Sequence, residues 1–159
     1  MSFVAQAQGY APVMAKGYVI PQDELREHAL LELDTIGYRE FAPSQDCVRE
    51  VREFVKETLE RVGPDEDTLF ECQLVADELA ANAALHARSI FSVAIELART
   101  FVRIAVRDES NTRPVLRRSK PGEESGRGLA IVSGTATGWG SVPLGRGKET
   151  WADVSRLSA

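Results

Sequence analysis

The chain has 159 residues, of which 43% are hydrophobic and 27% are charged. This composition is that of an ordinary globular protein, and it excludes a disordered, collagen-like or low-complexity chain. The formal net charge of -5 argues against a surface built to bind nucleic acid directly. Basic residues outnumber acidic ones only within residues 81–159, so we expect an anionic ligand to bind the second half.

Cysteine content and hydropathy indicate the compartment. Cys47 and Cys72 are the only cysteines, and they form neither a disulfide framework nor a C-x-x-C metal pattern. The first thirty residues show no apolar core of signal-peptide length, and no apolar run in the sequence approaches 18 residues. We therefore expect a cytoplasmic protein that does not associate with a membrane.

The first 35 residues differ from the rest of the chain. Glycines and prolines interrupt every hydrophobic period before a charged stretch, DELREHALLELD, begins at Asp23. We interpret residues 1–35 as an N-terminal extension that ends in a short helix, and residues 36–159 as the folded domain.

The domain is predicted to begin with one strand and two helices. A strand over residues 36–41 leads into a helix that Ser44 caps and that runs through Arg61, before the helix-breaking Gly63. The second helix is predicted over residues 66–87, where apolar residues recur at core spacing.

A hairpin and a polar loop follow. Residues 90–98 and 101–107 alternate with a period of two and are rich in β-branched side chains, which predicts two antiparallel strands. Residues 109–125 contain two prolines and four basic side chains without a periodic apolar pattern. This stretch is predicted to be a long, mobile loop.

The remaining elements complete the predicted fold. A third helix should begin near Gly126, and two strands over residues 138–144 and 149–154 should meet at a glycine-containing turn. The element order predicts an α+β sandwich of two layers, with helices packed on one face of a mixed, largely antiparallel sheet.

Three polar residues share one face of the second predicted helix. Glu78, Asn82 and His86 are spaced four residues apart, so they project along one stripe. Such a stripe is often only a solvated helix face. Here the surrounding residues are small or apolar, and asparagine is a poor helix former. A carboxylate beside a carboxamide could place a general base next to a magnesium ligand.

Asp108 ends the second strand of the hairpin where the basic loop begins. Strand ends that lead into loops concentrate ligand-binding groups, and a carboxylate there could accept a hydrogen bond from an amino group. The alternative is that Asp108 only forms the turn together with Ser110 and Asn111.

Glycines at the start of the third helix indicate an anion site. Residues 125–129 read Ser-Gly-Arg-Gly-Leu, so bare backbone N–H groups and the helix dipole could attract phosphate. The alternative is that these glycines only permit tight packing. Gly147 and Lys148 do not form a P-loop, because Glu149 replaces the required serine or threonine.

Five segments resemble, in this order, the GHKL ATP-binding fold: residues 78–87, 106–108, 126–132, 139–140 and 147–151. Within that superfamily the chain is similar to the anti-sigma factor serine/threonine kinases of the SpoIIAB and RsbW type, especially the small actinobacterial ATP-binding proteins. The resemblance covers about residues 36–156 and implies a Bergerat sandwich, the histidine kinase-like ATPase fold.

The resemblance implies ATP and Mg²⁺ as cofactors. It implies that Glu78 polarises the attacking hydroxyl as the catalytic residue and that Asn82 ligates the metal and the nucleotide. It also implies that residues 109–125 form an ATP lid. The other implied nucleotide contacts are His86, Asp108, Ser110, Gly126, Arg127, Gly128, Leu129 and Thr150.

The same resemblance implies the partners, which are a sigma factor, an anti-anti-sigma protein of the STAS type and a second copy in a homodimer. Ala81, Ser110 and Thr112 depart from the residues usual in these kinases. Two functions therefore stay open. One is a kinase that phosphorylates a serine of the anti-anti-sigma partner; the other is a non-catalytic binding module that regulates transcription by sequestering a partner.

Overall fold

The computed structural model describes residues 13–15, 18–20, 33–111 and 127–156, with 13–15, 18–20 and 127 described by their backbone alone. The described strands are β1 (Val13–Ala15), β2 (Tyr18–Ile20), β3 (Asp34–Phe41), β4 (Phe91–Leu97), β5 (Phe101–Asp108), β6 (Gly138–Pro143) and β7 (Lys148–Ser155). The described helices are α1 (Cys47–Glu60), α2 (Glu66–Ala87) and α3 (Arg127–Thr135).

The strands form one sheet in the order β2-β1-β6-β7-β5-β4-β3. Every pairing among these described strands is antiparallel. The centre of the sheet is β5, where Ile104 lies opposite Ile95 of β4 on one side and Ala152 of β7 on the other. Because side chains alternate along a strand, this register places these three residues on the same face.

The three described helices cover that face. One stripe of α1 is fully buried through Val51, Val55 and Leu59, and α2 contributes Val75 and Leu79 to the same core. Helix α2 lies over β5 and β7, and α3 packs against α2 and β6. The fold is therefore the predicted α+β sandwich, with its helices on one face of an antiparallel sheet.

The two long helices begin differently. Helix α2 begins at Glu66, as predicted. Asp65 caps it, because its carboxylate accepts a hydrogen bond from the Thr68 backbone N–H at 2.8 Å. Ser44 was predicted to cap α1, and this is wrong. Asp46 occupies the cap position without a side-chain bond, and the Ser44 carbonyl accepts from the Cys47 N–H at 3.3 Å. A turn over residues 45–46 separates Ser44 from the helix.

The N-terminal extension contributes two short strands. β1 and β2 form a hairpin in which Met14 of β1 lies opposite Trp139 of β6. The short helix predicted from Asp23 lies outside the described residues, except that Asp34 already belongs to β3. The hairpin thus extends the sheet beyond β6, at the edge opposite β3.

Candidate functional site

The stripe predicted on α2 faces the layer between the helices and the sheet for part of its length. Glu78 and Asn82 are half-buried, whereas His86, in the last turn of the helix, is exposed. The neighbouring Leu79 and Ala83 are buried in the core. The buried side of α2 therefore fixes the direction of Glu78 and Asn82.

Glu78 lies against the first turn of α3. A Cβ atom added at Gly128 would stand 2.6 Å from Glu78 Oε2, which is closer than real Cβ contacts. The absence of a side chain at residue 128 therefore lets the carboxylate sit beside the α3 backbone. Two segments that are 50 residues apart in the chain meet at this point.

The pKa of Glu78 is raised, first because burial penalises the charged carboxylate and second because the Asp77 carboxylate is nearby. A raised pKa makes the ionised form a stronger base. The Glu78 carboxyl therefore keeps its proton to a higher pH than an exposed glutamate does.

The neighbouring carboxylate, Asp77, has a different environment. It is 8% exposed, and Arg52 of α1 donates to it through Nε at 3.0 Å and also through Nη2. This hydrogen-bonded pairing raises the pKa of Arg52. Asp77 thus joins α1 to α2 through its ion pair with Arg52.

Asp108 is buried at the end of β5, on the helix-covered face. Lys148, which lies opposite it in β7, donates from Nζ to Asp108 Oδ1 at 3.0 Å, and the Ser110 backbone N–H donates to the same oxygen at 2.8 Å. Within the described residues no donor reaches Oδ2. One carboxylate oxygen therefore holds the strand and the turn together.

The turn between β6 and β7 is built against Asp108. Gly147 has φ +79°, and a Cβ atom there would stand 1.9 Å from the Asp108 backbone oxygen, so only glycine fits. The Gly147 N–H donates to Asn111 Oδ1 at 3.1 Å. Asp108 therefore contacts Ser110 within its own turn, whereas Asn111 binds the turn between β6 and β7.

Thr150 is the next residue along β7 on the same face as Lys148. It is 6% exposed and lies between Val106 of β5 and Ser141 of β6. The buried Ser141 Oγ forms no hydrogen bond within the described part of the chain. Hydroxyl groups and the Asp108 carboxylate thus line neighbouring positions of one sheet face.

The remaining predicted residues are described only in part. Gly126 lies outside the described residues, and Arg127 is the first residue of α3, where the backbone alone is described. Leu129 is 6% exposed and its side chain belongs to the core, so it could offer a nucleotide only its backbone. Of the predicted lid, only residues 109–111 are described.

Neither a cluster of metal-binding side chains nor a membrane-spanning helix occurs among the described residues. No group of three or more His, Cys, Asp or Glu side chains there could hold a metal ion. The donor chemistry fits a magnesium ion held by the Asn82 amide oxygen together with the oxygens of a bound nucleotide. No described helix is long and apolar enough to span a membrane.

Lys148 was missed as a site residue by the sequence reasoning. The alternation of residues along β7 could have identified it. Thr150, Ala152 and Val154 are buried on one face of the strand, and the same period of two places Lys148 on that face. A lysine at an inward position needs a buried partner, and the partner is Asp108.

Comparison with known proteins gives a match to the histidine kinase-like ATPase domain over residues 41–140. The chain is also similar to the crystal structure of the RsbU and RsbW domains of Rv1364c from Mycobacterium tuberculosis, with 19% sequence identity and a TM-score of 0.56. This match covers 77% of the present chain and 34% of the other, and at that identity it concerns the fold alone. No curated protein matches the chain.

Proposed function

The chain belongs to the family of histidine kinase-like ATPase domains, and from this we propose that it binds ATP with Mg²⁺ and acts as an anti-sigma factor kinase. Membership in this family implies ATP binding. The kinase activity, the metal and the protein partners are the finer steps of the proposal.

One observation carries the proposal: the Glu78 carboxylate lies beside Gly128 at the first turn of α3. A helix start offers unpaired backbone N–H groups to phosphate, and the carboxylate next to it is half-buried with a raised pKa. This proximity supports the proposal that Glu78 acts as a base beside phosphate bound at the start of α3.

In the proposed reaction Glu78 accepts the proton of a serine hydroxyl on the partner. The serine Oγ forms a bond to the γ-phosphorus, the bond from that phosphorus to the β,γ-bridging oxygen breaks, and ADP leaves. The Asn82 amide oxygen would hold Mg²⁺, which would neutralise charge on the phosphates. Asp108 accepts a hydrogen bond from the adenine amino group at Oδ2, while Lys148 retains Oδ1.

The resemblance to RsbW-type kinases supports the partner classes, which are a sigma factor and a STAS-type anti-anti-sigma protein. A homodimer remains a proposal on the same ground. In this assignment the anti-anti-sigma protein accepts the phosphate, and the sigma factor is the protein that is sequestered.

A second function is favoured by a specific contact. Asp108 already holds Lys148 and the Ser110 N–H, so the carboxylate has a structural role without any nucleotide. Ala81 and Thr112 also depart from the family pattern. The alternative is therefore a non-catalytic GHKL-fold module that sequesters a regulatory partner.

Calorimetry with ATP, in the presence of Mg²⁺ and again with EDTA, tests nucleotide binding. A transfer assay with radiolabelled γ-phosphate and the STAS-type protein encoded by the same genome tests the kinase step. Binding with transfer supports the kinase. Binding of the partner without transfer under any nucleotide condition supports the sequestering module.

A further inference from the structure

The turn that joins α2 to β4, residues 88–90, has an unusual backbone. Arg88 follows the last residue of α2 and has φ +50° and ψ +27°, which is the left-handed helical conformation. Among the residues that the structure describes, it is the one residue other than glycine with a positive φ. Helices often end in this conformation, but glycine usually occupies the position because a Cβ atom there is crowded by the backbone. Arg88 therefore destabilises the turn relative to a glycine.

The next residue of the turn leaves a polar group unsatisfied. The Ser89 Oγ atom is buried and forms no hydrogen bond within the described part of the chain. A buried hydroxyl without a partner lowers stability as well. Two adjacent residues thus work against folding, and such residues are typical of segments that serve binding.

The side chains of the turn are directed to solvent. Arg88 is exposed, and no salt bridge to it occurs among the described residues. Glu78 is the carboxylate of α2 nearest to it in the sequence, ten residues away. Ile90 is 60% exposed. The turn therefore presents a positive charge and an aliphatic side chain two residues apart.

The turn lies at the end of the sheet that carries the candidate site. It leads into β4, where Ser92 lies opposite Arg107, the residue before Asp108. On α2, ten residues between Glu78 and Arg88 correspond to about 15 Å of helix. A protein interface of about 800 Å² on each side is about 30 Å across. One partner can therefore contact the turn and also bring a serine near Glu78.

We propose that Arg88 and Ile90 dock the protein that accepts the phosphate. Arg88 binds a carboxylate of that protein, and Ile90 packs on an aliphatic side chain beside the carboxylate. Arginine suits this task because its planar guanidinium donates two parallel hydrogen bonds to one carboxylate. The identity of the partner rests on the proposed function, whereas the two docking residues take no part in the transfer itself.

Arg88→Gly tests the proposal in the full-length chain. Glycine adopts the left-handed conformation without strain, so Tm should rise by about 2 °C. Binding of the STAS-type protein encoded by the same genome, measured by calorimetry, should nevertheless weaken by about tenfold. The salt dependence of binding should also become shallower, because a charged contact is lost. Ile90→Ala should weaken binding without changing its salt dependence.

Arg99→Gly is the matched control. Arg99 is exposed in the turn between β4 and β5, at the opposite end of β4, and its φ is not positive. This variant should bind the partner as the parent protein does and should show no rise in Tm. Arg88→Lys retains a charge and a left-handed residue other than glycine. It should therefore keep the parent Tm and the steep salt dependence of binding.

The outcomes separate the docking site from the kinase assignment. If Arg88→Gly binds the partner as tightly as the parent protein does, the docking site is wrong and the kinase assignment is unaffected. If Arg88→Gly is less stable than the parent protein, Arg88 stabilises the turn, and this also overturns the proposal. Binding that depends on Arg88 but leads to no transfer supports the docking site and overturns only the kinase step. A parent protein that does not bind the STAS-type protein overturns both.

Discussion

Lys148 and Asp108 form a buried ion pair across β5 and β7, with Lys148 Nζ 3.0 Å from Asp108 Oδ1 and both side chains less than a tenth exposed. Two charges removed from water stabilise each other only while both are present, because a lone buried charge has no compensation. This pair therefore links the stability of the sheet to the carboxylate proposed to read adenine.

The first prediction concerns that pair. Lys148→Met and Asp108→Asn are each expected to lower the free energy of unfolding by about 3 to 5 kcal/mol, because each leaves one buried charge unpaired. The double variant should lose less than the sum of the two, since neither charge remains. Urea unfolding of the four proteins measures the coupling.

The control is Lys56→Met, which removes an exposed lysine from an ion pair with Glu60 on α1. Its effect should be no more than about 0.5 kcal/mol. Additive losses in the double variant would show that Lys148 and Asp108 do not interact in solution.

The second prediction compares alanine substitutions at two glycines of α3, Gly128 and Gly134. In Gly128→Ala the new methyl group should push the flexible Glu78 carboxylate toward solvent, since it would stand 2.6 Å from Oε2. The pKa of Glu78 should then fall toward its ordinary value, as followed by NMR titration of the carboxyl carbon. Gly134, with nothing within 4 Å, provides the control.

Gly134→Ala should leave the titration of Glu78 unchanged and raise the free energy of unfolding by about 0.5 to 1 kcal/mol, because alanine restricts the unfolded chain and favours the helix. An unchanged Glu78 titration in Gly128→Ala would contradict the proximity of the two residues.

The sequence predicted the elements with strong local signals. Helix α2 has a side-chain cap at Asp65 and a long apolar period, and the bounds from Glu66 to Ala87 were predicted correctly. The β1–β2 hairpin was not predicted, because strands of three residues are too short to show alternation and are held by pairing with β6. Pairing of this kind depends on residues more than a hundred positions away.

The site was predicted less completely than the fold. Spacing along one helix was enough to select Glu78 and Asn82, since residues four apart share a face. The partner of Asp108 could not be chosen in the same way, because it is 40 residues distant and its identity depends on the register of β5 with β7. The contact between Glu78 and Gly128 likewise depends on how α3 packs on α2.

The third prediction is a pH dependence of stability. Burial raises the pKa of Glu78 in the folded chain, so the folded state binds more protons than the unfolded state over the interval between the ordinary and the raised value. Stability therefore falls as pH rises through that interval. Glu78→Gln removes the cost of the buried charge and should raise Tm at pH 7. The difference in Tm between the variant and the parent protein should shrink below about pH 4, where the residue is neutral in both proteins.

Glu53→Gln on α1 is the matched control, because Glu53 is exposed. Its Tm should follow that of the parent protein across the same pH series. A Glu78→Gln variant that is less stable than the parent at pH 7 would show that the carboxylate makes stabilising contacts instead.

The fourth prediction concerns the two thiols. Burial raises the pKa of Cys72 to about 12 and also raises that of Cys47, so the reactive thiolate is scarce at pH 8. Iodoacetamide should label the native protein far more slowly than the same protein in guanidinium chloride, as followed by mass spectrometry. Native labelling at the unfolded rate would show that the core around α1 and α2 opens readily.

The last prediction divides the roles of two residues on α2. Glu78→Gln should reduce phosphotransfer by about 10²- to 10⁴-fold, the usual contribution of a general base, while ATP and partner still bind. Asn82→Ala should instead weaken ATP binding when Mg²⁺ is present and have little effect in EDTA, because it removes an oxygen ligand of the metal. Leu85→Ala, at an exposed position of the same helix, controls for a general disturbance of α2.

Equal losses of transfer and affinity in both site variants would mean that Glu78 holds the nucleotide rather than the proton. If the parent protein binds its partner without any transfer and Glu78→Gln behaves identically, the carboxylate has no catalytic task and the sequestering function stands.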